Sequence, residues 1–314
     1  MLESAPMPSA SPAVAEAFRA HRHLLWGLAY RMTGSVEDAE DVVQDTFARA
    51  VARPPPRLDE LRPWLTRVAM NLARDALRRR KRRPYVGPWL PSPVETADLP
   101  DLAAPTMGSD VRYDLRESAT YAFLVALEAL GPLQRAVLLL RDVLDYSVAE
   151  TAGALGVSEA NVKTTHHRAR RTMDAYDRTR RLPTSELSSA TRSALERFLG
   201  AIVAEDTVAA EACLTDDVRA MSDGGGHYRA ALRPVTGANR VARFLVGLQK
   251  KTTQGGRFAL RDLNGLPALV AEVDVTAERW APRYVLRCDL AEDGRIREVH
   301  VVLAPPKLGA VRPL

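Results

Sequence analysis

The chain has 314 residues, 46% of them hydrophobic and only 6% aromatic, so it can bury a sizeable and mainly aliphatic core. Its net charge of +5 is unevenly distributed: RDALRRRKRR (residues 74–83) and KTTHHRARRTMDAYDRTRR (residues 163–181) are strongly basic, which favours a polyanionic partner. We expect no signal peptide and no membrane span, and therefore a soluble cytoplasmic protein. Cys213 and Cys288 have no metal-ligand neighbour, so we expect two free thiols, with a disulfide as the alternative.

Two amphipathic helices are predicted near the start of the chain. Residues 1–12 are rich in Ser, Pro and Ala, and we expect them to be disordered. Apolar side chains then recur at helical spacing from Val14 to Met32. Thr33-Gly34 ends this helix, and the sequence SVED, which begins at Ser35, matches a capping box. It predicts that a second, acidic helix starts there.

A third helix and a proline-rich segment follow. The helix is predicted to begin near Glu60 and to continue into the basic block, which completes a helical bundle ending near Arg83. Residues 84–110 are dense in proline and lack a helical period, so they predict a linker. Its apolar stretch YVGPWLPSP is either a stiff spacer or a docking segment whose Trp89 and Leu90 need a partner surface.

A second helical module is predicted after the linker. Its helices are expected at residues 115–130, at 134–146, in VAETAGALG after Ser147, and from Ser158 to about Arg180. A turn at Gly156, where we expect a positive φ, separates the last two. A short helix, a glycine turn and a capped basic helix indicate a helix-turn-helix, whose second helix enters the DNA major groove. An ordinary helical hairpin is the alternative, which the placement of the basic residues disfavours.

After Pro183 the pattern predicts a separate α+β domain with a mostly antiparallel sheet. Two helices, at residues 186–204 and 207–214, precede the strands, and a third is predicted at residues 238–250. The predicted strands are DDVRAMSD, HYRAALRP, RFALRDL, ALVAEVDVTAE, RYVLRCDL and IREVHVVLA. GGG, NGLP and EDG predict the turns between them.

Both helical modules resemble one family. LAYRMTGSVEDAEDVVQDTFARA, from Leu28, and LRPWLTRVAMNLARDALRRRKRR, from Leu61, are similar to the second conserved region of sigma factors. LGPLQRAVLLLRDVLDYSVAETAGALGVSEANVKTTHHRARR, from Leu130, is similar to their fourth region. The order and spacing over residues 14–180 resemble extracytoplasmic-function sigma factors, which keep only these two regions.

The rest of the chain resembles a subgroup of these factors that carries a SnoaL-like C-terminal domain. WLPSP is similar to the subgroup's WLPEP, with Ser92 in place of glutamate; DGGGH is similar to DGGGK, with His227 in place of lysine; and APPKL is similar to NPDKL. The resemblance implies regulatory roles for Trp89, Leu90, Pro91, Asp223, Gly224, Gly225, Gly226, Lys307 and Leu308. The implied domains are region 2 (14–83), a linker (84–110), region 4 (111–181), the SnoaL-like domain (186–305) and a tail (306–314).

The resemblance implies a protein that binds core RNA polymerase at the β′ clamp helices and the β flap, recognises promoter DNA and starts transcription. An acidic helix suits the basic clamp helices, and the implied contacts are Asp38, Glu40, Asp41, Gln44 and Asp45. The implied minus-ten contacts are Arg67, Asn71, Arg74 and Arg78. The implied minus-thirty-five contacts are Ser158, Lys163, Thr164, His167, Arg168 and Arg171. Arg170 is also predicted to bind phosphate, and His166 to be partly buried.

Three functions remain open from the sequence. The first is an initiation factor regulated in cis by its cone-shaped α+β domain, without cofactor or membrane partner. The second is a helix-turn-helix repressor or activator with a ligand-sensing domain, which would not need the acidic docking helix. The third is an enzyme, with acid–base candidates Asp216, Asp217, Asp223, His227, Asp274 and His300. Their spacing does not require catalysis, so we expect the first function and no enzymatic activity.

Overall fold

The computed structural model describes residues 12–53, 61–99, 112–275 and 277–314. The disorder predicted before residue 12, the proline run after Arg53 and most of the second half of the predicted linker lie outside the described residues. Packing divides the chain into two compact units. The helical unit comprises the described residues up to Arg82, Arg112–Leu115 and Ala129–Asp174. The sheet unit comprises Arg83–Leu99, Arg116–Glu128 and the described residues from Ala175 onward.

Three helices form the first part of the helical unit: α1 (Pro12–Thr33), α2 (Val36–Ala52) and α3 (Leu61–Arg82). Gly34 ends α1 with a φ of 70°. Ser35 caps α2 as predicted, because its Oγ accepts a hydrogen bond from the Asp38 N–H at 3.1 Å. The Ser35 N–H, which a capping box would direct to residue 38, instead donates to Thr33 Oγ1 at 3.2 Å.

The helices predicted over residues 115–146 have different limits. The first is only α4 (Tyr121–Leu127), preceded by a 3₁₀ turn at Glu117–Ala119. It starts late because Thr120 has an extended backbone and its Oγ1 accepts the Phe123 N–H. The next helix, α5 (Pro132–Leu138), starts early because proline suits the first helical position, and it continues as a π-helical turn at Leu139–Val143.

Two further helices complete this part of the chain: α6 (Val148–Leu155) and α7 (Glu159–Thr179). The sheet unit adds α8 (Ser185–Val203), α9 (Thr207–Ala212) and α10 (Ala238–Thr252). Among the described residues, none of the helices has both the length and the apolar character that a membrane span requires.

The sheet has six strands in the order β2-β1-β6-β5-β4-β3. Their bounds are β1 (Leu214–Asp223), β2 (Val235–Thr236), β3 (Thr253–Leu263), β4 (Leu266–Val275), β5 (Arg283–Leu290) and β6 (Ile296–Val302). β1 pairs with β6 in parallel and the other pairs are antiparallel. The strand predicted at residues 227–234 does not form. The glycine turn extends to His227, whose N–H donates to Gly224 O, and the Arg229 N–H donates to Arg279 O, which lies outside the six strands.

Each face of the sheet carries its own hydrophobic core. Side chains of α8 and α10 pack on the inner face around Leu286, Cys288 and Val299. The opposite, outer face is covered by Leu90 of the linker, Tyr121 of α4, and Leu308 and Val311 of the C-terminal tail. The linker, α4 and the tail are therefore part of the core of the sheet unit.

Candidate functional site

The helix-turn-helix has the local geometry that the sequence predicts. Ser147 caps α6 in a reciprocal capping box, with its Oγ accepting the Glu150 N–H at 3.1 Å and Glu150 Oε2 accepting the Ser147 N–H at 2.7 Å. Gly156 ends α6 in the left-handed conformation, with a φ of 66°. Buried Leu155 and Val162 lie on either side of this turn, so α6 and α7 are fixed by packing as well as by the turn.

The predicted minus-thirty-five residues share one solvent-exposed surface. Ser158 caps α7, because its Oγ accepts the Asn161 N–H at 3.2 Å. The opposite face of α7 is buried through Val162, Ala169 and Met173. The exposed residues, which we call the α7 basic face, are Lys163, Thr164, His167, Arg168 and Arg171. This face therefore presents cationic and hydrogen-bonding groups to solvent.

Asp142 holds two basic residues of α7 away from that face. Its buried carboxylate lies 2.8 Å from His166 Nε2 and accepts two hydrogen bonds from Arg170, at 2.6 and 3.1 Å. His166 is half-buried as predicted. Arg170 pairs with this carboxylate, and its phosphate contact stays a prediction. Sequence reasoning missed Asp142, although an ionisable residue in the apolar run LLLRDVL is a signal for a buried partner.

Substituting Asp142 by Asn tests this cluster through its pH dependence. Burial disfavours the carboxylate, but the hydrogen bonds from His166 and Arg170 outweigh burial and lower the pKa of Asp142. A lowered folded-state pKa stabilises the fold above the unfolded pKa, and this contribution disappears as pH falls through the folded pKa. We expect Asp142→Asn to reduce the free energy of unfolding by about 1–3 kcal/mol at pH 7.

The loss should shrink when urea unfolding is repeated below about pH 4, where an unfolded aspartate becomes protonated. Asp174→Asn changes an exposed aspartate of α7, the helix that carries His166 and Arg170; it is the control and should have little effect. An equal loss from Asp142→Asn at pH 7 and pH 3 would contradict the assigned ion pairs.

Three of the four predicted minus-ten residues lie against the end of α6. Arg67 Nε donates to Gly153 O at 3.2 Å, Asn71 Nδ2 to Ala154 O at 3.1 Å, and Arg74 Nη1 to Leu155 O at 3.1 Å. The last carbonyls of a helix lack intrahelical donors and carry partial negative charge. We call these three hydrogen bonds the α3–α6 contact.

Charge and burial also distinguish the predicted minus-ten residues from one another. Burial, with the nearby Arg78 charge, lowers the pKa of Arg74. Arg78 is exposed and pairs with Asp75 at 3.1 Å. Three of the four residues are therefore engaged within the helical unit, and Arg78 extends outward.

The acidic residues of α2 form a partly exposed surface. Asp41, Gln44 and Asp45 are exposed, and Asp38 and Glu40 are half-buried. Glu40 pairs with Arg22 of α1 at 2.9 Å. Burial raises the pKa of Asp38, so the exposed carboxylates of Asp41 and Asp45 supply the most accessible negative charge.

Three separate segments of the sheet unit meet at Asp223, whose side chain is fully buried. Its carboxylate accepts hydrogen bonds from the Tyr85 hydroxyl at 2.6 Å and the Leu90 N–H at 2.7 Å, and it pairs with Lys307. The Lys307 ammonium also donates to Leu90 O and lies 3.9 Å from the centre of the Trp89 ring. We call these five residues the Asp223 cluster; they come from the YVGPWLPSP, DGGGH and APPKL segments.

The glycines after Asp223 are required by close contacts. A Cβ on Gly224 would lie 2.6 Å from Tyr228 O. Gly225 has a φ of 57°, and its Cβ would lie 3.1 Å from the Tyr85 hydroxyl. Side chains at these positions would push the loop away from the cluster.

Other predicted and missed residues support the same region. Pro91 O accepts a hydrogen bond from the Tyr121 hydroxyl at 3.0 Å, and Ser92 and Leu308 are buried. Sequence reasoning missed Tyr85 and Tyr121. The signal for Tyr85 was its position in the apolar stretch YVGPWLPSP, because an apolar linker needs a surface to pack on.

The acid–base candidates do not converge on a cavity. A cavity of about 740 Å³ lies on the inner face of the sheet, and none of the described residues that line it is Asp, Glu or His. Asp223 belongs to its cluster, and the side chain of His300 is fully buried beside Glu298 of the same strand and Asp289 of β5. Asp216, Asp217, His227 and Asp274 are exposed.

Buried Asp289 and His300 and half-buried Glu298 have ligand atoms close enough to one another to hold a metal ion. However, the guanidinium of buried Arg287 donates to Asp289 at 2.9 Å. This fixed positive charge satisfies the carboxylate and disfavours a metal cation.

The chain resembles known proteins over both units. Residues 17–83 match sigma-70 region 2, and residues 121–173 match sigma-70 region 4. The ECF RNA polymerase sigma factor SigJ of Mycobacterium tuberculosis is 35% identical over 241 residues, which cover 76% of this chain and 74% of SigJ. The probable ECF RNA polymerase sigma factor SigI of the same organism is 27% identical over 309 residues, covering 95% of this chain and 96% of SigI.

The crystal structure of SigJ matches with a TM-score of 0.67 and 28% identity, over 93% of this chain and 97% of SigJ. This match confirms the predicted fold class, in which helical regions 2 and 4 precede a sheet-containing, SnoaL-like domain. The identity with SigJ and the length it covers establish the family. The chain belongs to the extracytoplasmic function (ECF) sigma factors of the sigma-70 family.

Proposed function

We propose that this sigma factor binds core RNA polymerase, recognises minus-thirty-five and minus-ten promoter elements, and starts transcription under the control of its own C-terminal domain. The observation that carries the proposal is the α7 basic face, which is open to solvent at the N-terminal half of a helix-turn-helix recognition helix. Promoter-specific transcription by purified core polymerase, with and without the full chain, tests it.

The α7 basic face supports contacts to both bases and phosphates. Lys163 and Arg171 suit phosphates, which supply most of the affinity. His167 and Arg168 lie between them on the same exposed face, and arginine can form two hydrogen bonds to a guanine edge. Base contacts from this face would supply selectivity for the minus-thirty-five element.

Substituting Arg168 by Ala tests base recognition. We expect holoenzyme binding to its preferred promoter fragment to weaken by about 1–3 kcal/mol, as for loss of one bidentate base contact. Fluorescence anisotropy at fixed salt measures this loss. The control is Arg240→Ala, an exposed arginine on α10, which should leave affinity unchanged. If Arg168→Ala weakened binding to all sequences equally, Arg168 would be a phosphate contact.

We infer that the α2 carboxylates dock on the β′ clamp helices and that region 4 lies near the β flap. The exposed charges of Asp41 and Asp45 support the first contact, since an acidic helix is complementary to a basic coiled coil. A repressor does not need a helix that docks on polymerase. The acidic surface of α2 therefore favours an initiation factor over an ordinary helix-turn-helix regulator.

The α3–α6 contact suggests how promoter opening is controlled. Arg67, Asn71 and Arg74 donate to carbonyls of the helix-turn-helix, and the same donors are proposed to bind the minus-ten strand. They cannot do both at once. We therefore propose that the described arrangement is a closed form, and that DNA binding on polymerase separates α3 from α6.

A crosslink between Asn71→Cys and Ala154→Cys tests the closed form. We expect the chain joined by a short bismaleimide to bind core polymerase and to lose open-promoter formation, because α3 stays against α6. The two single-cysteine variants, treated in the same way, are the controls; native Cys288 is buried and Cys213 is half-buried. Full open-complex formation by the crosslinked chain, detected by permanganate reactivity of the minus-ten strand, would contradict the closed form.

We propose that the Asp223 cluster is the means of regulation in cis. It holds the linker against the sheet domain, and Tyr121 of region 4 packs on the same outer face. A chain truncated at Arg181 would uncover α4 as well as remove the domain. Point substitutions in the full chain are therefore the better test of regulation.

A further inference from the structure

The sheet unit contains a cavity that the proposed transcription function does not use. It has a volume of about 740 Å³, within the range of about 300–1,000 Å³ typical of small-molecule sites. Its wall is almost entirely aliphatic and aromatic, and includes Phe244, Leu248, Leu269, Val273, Tyr284 and Leu286. An apolar chain would replace water there favourably.

The mouth of the cavity keeps apolar side chains accessible. Val203 and Phe258 both line it, and they remain 68% and 50% exposed. Large exposed apolar side chains beside a cavity are typical of a ligand entrance. Among the described residues of the wall, polar side-chain groups are few: those of Ser222, Arg229 and Gln249, the Tyr284 hydroxyl and the Trp280 N–H.

A cationic rim adjoins the cavity. A neighbouring depression is lined by Arg229, Arg243, Lys251 and Arg279, and it shares Arg229, Phe244, Leu248 and Trp280 with the cavity. The guanidinium carbons of Arg229 and Arg279 lie 5.7 and 5.3 Å from the centre of the Trp280 ring. None of the described residues lining either space is acidic, so the rim favours an anion.

We propose that this cavity binds a single-chain acyl amphiphile with an anionic head group. The acyl chain fills the apolar interior, and the head group lies at the rim formed by Arg229, Arg243, Lys251 and Arg279. A carboxylate and a phosphate monoester share this chemistry, so a free fatty acid and a lysophospholipid are the two sources to distinguish.

The cavity also adjoins the Asp223 cluster through the chain. Ser222 and Leu303 line the cavity, and the N–H groups of Leu303 and Ala304 both donate to Asp223 O, at 2.8 and 3.0 Å. A bound acyl chain would therefore contact the strands that position Asp223. An effect of the bound lipid on transcription rests on the proposed regulatory function. Lipid binding itself is measured without polymerase or DNA, so the two can fail separately.

Displacement of a fluorescent polyene fatty acid from the purified full chain tests the proposal. The competitors are hexadecanoate, hexadecanoyl-lysophosphatidate and methyl hexadecanoate, each below its aggregation concentration. We expect one or both anionic lipids to displace the probe at least about tenfold more effectively than the neutral ester. Stronger displacement by hexadecanoate identifies a free fatty acid as the ligand, and stronger displacement by the lysophosphatidate identifies a lysophospholipid. Equal displacement by the ester, or no binding of the probe, would overturn the proposal.

Two variants locate the bound lipid. Arg229→Gln with Arg243→Gln should weaken binding of the anions about tenfold, and Arg240→Gln, on α10 outside the rim, is the matched control. Gly200→Phe should weaken binding of every lipid, because Gly200 lines the cavity and an added Cβ meets no atom within 4 Å. Replacing a glycine inside a helix also favours folding. Thermal unfolding of the Gly200→Phe chain checks that the fold is retained. Unchanged binding in both variants would overturn the assigned site.

Discussion

Replacing Lys307 with Met is expected to lower the free energy of unfolding of the sheet unit by about 3–5 kcal/mol, as when one partner of a buried ion pair is removed. The cause is Asp223, whose carboxylate is fully buried and would lose its only positive partner among the described ion pairs. The Tyr85 hydroxyl and the Leu90 N–H would remain as donors. Urea unfolding of the full chain, followed by tryptophan fluorescence, measures the loss.

Lys250→Met is the matched control, because Lys250 pairs with Glu205 at 2.6 Å on the surface, where such pairs contribute at most about 1 kcal/mol. Adding Asp223→Asn to Lys307→Met should restore part of the lost stability, since it removes the uncompensated charge. The ion-pair assignment fails if Lys307→Met costs no more than Lys250→Met.

Reversing two charges on α2, with Asp41→Lys and Asp45→Lys, is expected to weaken binding to core polymerase by about 100-fold or more, because like charges would face each other across the docking surface. Both residues are exposed, so the fold should be retained. Titration of labelled core polymerase without DNA measures the affinity. The affinity of the unsubstituted chain should fall as salt is raised.

The control for this pair is Asp216→Lys with Asp217→Lys, which changes the net charge equally at exposed positions of β1. It should bind core polymerase normally. If both pairs weakened binding to the same extent, net charge would explain the effect and α2 would lose its assigned role.

Local features were predictable because their causes are local. The caps at Ser35, Ser147 and Ser158 and the left-handed turn at Gly156 each depend on a few neighbouring residues. The predicted strand at residues 227–234 failed for a related reason. Alternating polarity alone did not show that the glycine turn extends to His227 and that irregular backbone follows it up to β2.

Long-range contacts were not predictable in the same way. Leu90 meets Asp223 and Lys307, which are 133 and 217 residues away along the chain. The motif resemblance singled out these segments, but no local pattern specifies that they share one buried carboxylate. The α3–α6 contact also went unpredicted, because its acceptors are backbone carbonyls 81–86 residues away and backbone acceptors have no sequence signature.

Transcription in vitro with purified core polymerase and a library of promoter fragments tests the central claim most directly. The full chain should produce transcripts from a distinct subset of fragments, and the Asp41→Lys, Asp45→Lys chain should produce none. Core polymerase alone provides the background. Absence of chain-dependent transcripts, together with no binding of the full chain to core polymerase, would contradict its function as an initiation factor.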